Sequence, residues 1–155
     1  MTFPAIREEP NISPYLVPGP NQAIAPRTKP LGPVNKMIFG NKPTDGGHLY
    51  ITHEERGAFI AKYPQYAHWV RKILGAKEFI NGGERWCFWL ADIPLDEAMD
   101  VPEVALRCEK IRELRVKAGH AAALKGAERP HTFLQIAQPK SGHYLLVPSV
   151  SSERR

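Results

Sequence analysis

Arg112, Arg115 and Lys117 fall close together at helical spacing, where they would meet phosphate oxygens from one side of a helix. Lys140 and Arg154 add positive charge from loops, and Lys77 and Arg85 flank an Asn81-Gly82 pair where they would close the same surface. The plain alternative for the first group is a solvated helix face, and for Lys77 and Arg85 a cross-strand pairing with Glu84 or Glu78. Gln135, Gln138, Ser151, Ser152 and Arg154 gather near the C-terminal end. Amide and guanidinium groups suit base edges, because Gln pairs bidentately with adenine and Arg with guanine in the major groove. The chemistry on offer is therefore the binding of a polyanion with some reading of its bases. Trp86 and Trp89 would stack bases on a single-strand platform, but two aromatics on opposite faces of one strand read better as core.

Signatures of catalysis are missing. No two glycines are separated by a single residue, so the GxG turn that lets a dinucleotide-like cofactor approach the backbone is absent. "NISPY" departs at Ile12 and Ser13 from the Asn-Pro-Pro-Tyr box of amino-methylating enzymes. No lysine has an acidic residue two positions before it, which a common class of metal-dependent nuclease requires. The histidines show neither HxH nor HxxxH spacing, and no GxSxG elbow frames a serine. Lys77 and Glu78, read as neighbours on a strand, would point to opposite faces and share no substrate.

These residues sit in a chain of 155 residues with 43% hydrophobic content and a formal charge of +5, enough for one core and a modest bias towards polyanionic partners. Cys87 and Cys108 are the two cysteines, each in an apolar setting and outside any CxxC pair, which fits two buried thiols in a reducing cytoplasm. No apolar run is long enough to span a membrane.

The elements that must position the candidate residues imply a mixed α+β fold. Eight of the fifteen prolines lie within residues 1–33, so this region is expected to be a proline-rich extended arm or linker. Residues 34–155 are expected to form one folded domain, whose final "SSERR" carries no cap or closing element. Short strands are expected at 34–40 and 48–52, and Thr52 with Glu55 forms a capping box that starts a helix at His53. That helix breaks at Pro64 and resumes through "QYAHWVRKIL" to Gly75. Asn81-Gly82 predicts a hairpin that pairs 77–80 with 84–91, the second strand being central and covered on both faces. Pro102 opens a long helix whose stripe runs through Val104, Cys108, Ile111 and Leu114 or Arg115, ending between Lys117 and Leu124. After Pro130, "HTFLQIAQPKSG" reads as a short element with a turn, and "HYLLVPSV" as a strand stopped by Pro148. The whole is a sheet containing a central hairpin, packed with helices.

Five blocks in order, "PYLVPGPN", "KMIFGNKPTDGGHLYIT", "KILGAKEFINGGERWCFWL", "PEVALRCEKIRELR" and "QPKSGHYLLVPSVSSERR", resemble the target recognition domain of the MmeI-like enzymes. These are large single-chain restriction and modification proteins that join a nuclease, an adenine N6-methyltransferase and a DNA-reading domain. The resemblance runs from about Asn11 to Arg155. It implies a noncatalytic segment that reads a short asymmetric sequence in double-stranded DNA and directs both methylation and cleavage. It further implies methyltransferase and nuclease domains of the same parent chain as partners. S-adenosylmethionine and a divalent metal are expected in the parent and no cofactor in this segment. Relatives commonly carry an arginine at the place of Ala137 and often a basic residue at that of Ser149. A noncatalytic module that braces neighbouring domains is the alternative function.

Overall fold

Thr52 ends its extended backbone by accepting a hydrogen bond from Glu55 N–H at 3.1 Å, while Glu55 Oε2 accepts from Thr52 N–H at 2.7 Å. This reciprocal cap starts α1 at His53, as the sequence predicts, and the computed structural model follows α1 to Lys62. It describes residues 8–14, 16–23, 25–30, 32–35, 37–143 and 145–148. The chain divides into two compact units, residues 1–37 and 38–155.

In the first unit the proline-rich segment folds back on itself locally. An isolated bridge joins Ile12 to Pro18, Ser13 N–H donates to Val17 O at 2.9 Å, and Asn11 Nδ2 donates to Gly19 O at 2.5 Å. No helix or named strand lies among the described residues of this unit.

The second unit is mixed α+β, with a three-stranded antiparallel sheet of order β1-β3-β2. β1 is Tyr50–Ile51, β2 is Val70–Ile73 and β3 is Arg85–Phe88. Tyr50 pairs with Cys87, and Val70 with Phe88, so β3 is the central strand. Cys87 and Phe88, on its opposite faces, are both buried.

The partners of β3 differ from those expected. Residues 76–81 form the helix α2, Ala76–Asn81, rather than the first strand of a hairpin. Glu78 at its third position accepts from Gly75 N–H at 2.9 Å, a helix-starting contact. Gly82, at φ 72°, caps the other end and donates its N–H to Glu78 O at 2.9 Å. The left-handed freedom of Asn81-Gly82 serves a helix C-terminus here, where the same dipeptide elsewhere serves a turn. Past Pro64 the chain makes a 3₁₀ turn, Pro64–Trp69, and then β2, so the helix expected to continue to Gly75 does not. Val70 and Ile73 go to the sheet and Trp69 to the core. The first expected strand is reduced to nothing among the described residues of 34–40, and residues 145–148 form no strand either.

Beyond β3, α3 (Leu95–Met99) leads to α4 (Pro102–Ala118), with Pro102 in its first turn. α4 ends at Gly119, φ 73°, and α5 follows as Ala121–Ala127, so the long helix stops short of Leu124. The core gathers Leu49, Ile51, Phe59, Trp69, Phe88, Leu90, Val101, Val104, Cys108, Ile111 and Phe133. Phe59 meets Phe88 edge-on at 4.9 Å and Tyr66 stacks on Trp69 at 4.1 Å, fastening α1 and the 3₁₀ turn. Trp86 is half-buried beneath Arg56 and Trp89 packs on Phe133, so neither is a free stacking platform.

Candidate nucleic-acid interface

The buried stripe of α4 passes through Val104, Cys108, Ile111 and Arg115, one residue every three or four positions. Its last member carries a charge. Arg115 is fully buried, and all five of its N–H groups are taken by main-chain carbonyls. Nε donates to Thr44 O at 3.1 Å, Nη1 to Gly126 O at 2.8 Å and Arg129 O at 3.2 Å, and Nη2 to Pro43 O and Thr132 O, each at 2.8 Å. Burial lowers its pKa from the ordinary arginine value, and the nearby Asp45 carboxylate works against that shift. Arg115 is therefore corrected from a phosphate contact to an internal cation that ties three chain segments together. An arginine with no exposed N–H has nothing left to offer a phosphate.

Arg85 is also drawn into the framework. Its Nη2 donates to Glu78 Oε2 at 3.1 Å and its guanidinium lies 4.3 Å over the Tyr50 ring. The acidic partner comes from α2, not from a paired strand. Arg107, half-buried on α4, donates to His48 O at 2.8 Å, Tyr50 O at 3.1 Å and Glu55 Oε1 at 2.7 Å, clamping β1 to α4.

The remaining cations are open to solvent. Arg112 and Lys117 are exposed on α4, where Arg112 makes only a 3.4 Å contact from Nε to Ala127 O. Lys77 is exposed on α2, at the rim of a cleft of about 440 Å³ that it shares with His53, Glu55, Asn81, Glu84 and Arg85. The carboxylates there offset its charge, and Glu84 is already paired with Lys72 at 2.5 Å. Lys140 pairs with Asp92 at 2.9 Å, but both ends are solvated, and a phosphate would compete readily for such a lysine. A second cleft, again about 440 Å³, is lined by Lys125 and Arg129 together with Ala91, Phe133, Leu134 and Ile136.

Gln135 and Gln138 are brought together on a short zipper. Lys42 and Gln135 exchange backbone hydrogen bonds at 2.9 and 3.0 Å, and Leu134 N–H donates to Pro43 O at 3.2 Å. Further out, Asn41 Oδ1 accepts from Ala137 N–H at 2.8 Å and Gln138 N–H at 2.9 Å. Asn41 lies between the strands expected at 34–40 and 48–52, and its side chain gives no local signal because its partners lie 96 and 97 positions away. Ser151, Ser152 and Arg154 lie outside the described residues.

No group of three or more His, Cys, Asp or Glu side chains that could hold a metal lies among the described residues, and no GxG turn occurs in the chain. Among the described residues no helix is long and apolar enough to cross a membrane.

Two solved or curated relatives define the class. The fold matches that of the Type IIL restriction-modification enzyme MmeI, solved in complex with DNA, with a TM-score of 0.73 and 36% identity over 85% of this chain and 18% of that one. DNA methyltransferase A of Bacillus subtilis (strain 168) is 38% identical over 145 residues, 94% of this chain and 16% of that protein. The chain spans less than a fifth of either relative. The family described as "MmeI, target recognition domain" matches residues 18–155, and the chain belongs to it.

Proposed function

We propose that this chain reads a short sequence in double-stranded DNA on behalf of a larger polypeptide whose other domains methylate adenine and cleave. S-adenosylmethionine and a divalent metal belong to those domains in this reading. The observation that carries it is the family match over residues 18–155, joined to a likeness to MmeI, whose solved structure is in complex with DNA. Arg112, Lys117, Lys77 and Lys140 supply phosphate contacts that orient the module, while Gln135 and Gln138 address base edges. Ser151, Ser152 and Arg154 carry base-edge chemistry in the same assignment. The cytoplasm is the compartment in which such a reader meets DNA.

Counterion release gives the test. Duplex affinity of the intact protein, measured across a salt series, is expected to fall linearly on a log–log plot with a slope of several units. A flat dependence would remove the assignment.

The alternative, a module that braces neighbouring domains, draws on exposed apolar side chains such as Met37 (77%), Phe39 (71%) and Leu145 (93%). Apolar packing is insensitive to salt, so the same series separates the two readings.

A further inference from the structure

We propose that Asn41 determines which base Gln138 accepts, by fixing which end of the Gln138 amide faces outward. The inference rests on the DNA-reading assignment above and adds a positioning residue to it.

The argument is a chain of donors and acceptors. Two backbone N–H groups, of Ala137 and Gln138, converge on the Asn41 side chain at 2.8 and 2.9 Å. Only the amide oxygen can accept both, so Asn41 has one permitted orientation. Its Nδ2 must then point the other way, where it meets Gln138 Oε1 at 3.5 Å. A nitrogen that can only donate requires an oxygen opposite it, and Gln138 is thereby turned with Oε1 towards Asn41. Its Nε2, which has no partner among the described residues, is left as the outward end. The contact is long and exposed, so it biases the amide rather than locking it, and a duplex that excludes water would strengthen the bias.

An outward amide nitrogen selects base edges that present acceptors. Guanine offers N7 and O6 and thymine O4, whereas cytosine offers the N4 donor. Adenine pairs bidentately with Gln only by also using Oε1, which Asn41 already engages. Gln138 is accordingly matched to guanine or thymine. The backbone beneath it is steady because Gln135 is zipped to Lys42, and Thr132 and Pro43 share the same Arg115 nitrogen.

Asn41→Asp keeps an oxygen for both backbone N–H groups but replaces the donor by a second acceptor. Gln138 must then reverse, presenting Oε1 outward. Gln138→Glu reaches the same outward acceptor at an exposed position, without altering Asn41. The experiment incubates the intact protein and its variants with a pool of randomised duplexes and sequences what is retained. Gln138→Ala is expected to relax one position of the selected motif. At that position Asn41→Asp and Gln138→Glu are expected to move preference from guanine or thymine towards cytosine or adenine by about fivefold or more. Asn41→Asp combined with Gln138→Ala should behave as Gln138→Ala alone. If Asn41→Asp and Gln138→Glu only weaken binding uniformly, or leave the motif unchanged, the proposal is overturned and Asn41 is a loop fastener. Should Asn41→Asp fail to fold, Asn41→Ser keeps an oxygen for the backbone N–H groups and lacks the amide nitrogen that faces Gln138 Oε1; it is expected to admit adenine beside guanine and thymine, and an unchanged preference would overturn the proposal. A wild-type protein that selects no motif would instead defeat the DNA-reading assignment itself.

Discussion

Arg115 Nη2 donates a 2.8 Å hydrogen bond to the carbonyl oxygen of Pro43, a residue 72 positions away in sequence. Among the described residues, 42–44 have no ladder partner beyond the short zipper, so the arginine supplies what a sheet would otherwise provide. The same guanidinium holds the end of α5 and the turn at Arg129 and Thr132. One side chain therefore sets the spacing between the basic helix and the segment that carries Gln135 and Gln138.

Replacing Arg115 by methionine should cost about 3–5 kcal/mol, because several buried carbonyls lose their donors together. Arg115→Lys retains charge but has three donors for five acceptors, and should recover only part of that loss. Urea unfolding of both variants measures the difference. A loss below about 1 kcal/mol in Arg115→Met would contradict the internal role.

Glu78 distinguishes the observed helix from the hairpin expected at the same place. As a surface cross-strand partner it would contribute well under 1 kcal/mol. Buried between Gly75 N–H and Arg85, it should be worth about 2 kcal/mol, read as the stability lost in Glu78→Ala.

Arg112→Ala and Lys117→Ala should each weaken duplex binding about equally for all sequences, and each should reduce the salt slope by about one unit. Neither should change the thermal midpoint by more than about a degree or two, since both side chains are exposed. A changed base preference in either variant would move that residue from the phosphate group to the base-reading group.

His131 makes the fold sensitive to acid. It is buried, its Nε2 lies 3.1 Å from Ile93 O, and its Nδ1 has no hydrogen-bond partner among the described residues. Burial is the main cause of a pKa below the ordinary histidine value, so the folded state favours neutral imidazole. The unfolded chain binds the proton more readily. Stability from this residue is thus complete above about pH 6.5 and is lost as pH falls towards the folded pKa, with a slope of at most about 1.4 kcal/mol per pH unit. Denaturant midpoints of wild type and His131→Phe at pH 7.5 and 5.5 check this: the substitution should flatten the change.

Local signals were the legible part of this sequence. The Thr52 and Glu55 cap, Pro102 at a helix start and the apolar character of 85–90 each depend on neighbours in sequence, and α1, α4 and the central position of β3 follow them. Asn81-Gly82 misled because positive φ is required by both a hairpin turn and a helix end. Arg115 lay on the apolar stripe by spacing, yet its charge argued for the surface. Only the carbonyls of residues 43, 44, 126, 129 and 132, brought together by the fold, reverse that argument. The Asn41 clamp is of the same kind, invisible until two distant segments meet.

Cys87 at the middle of the sheet and Cys108 within α4 are both enclosed, and burial pushes each thiol up to about 11. At neutral pH each is almost wholly protonated and beyond the reach of alkylating reagents. Iodoacetamide labelling of either sulfur consequently becomes a stopwatch for transient opening. Single-cysteine versions would time the sheet and the long helix separately, without an added dye.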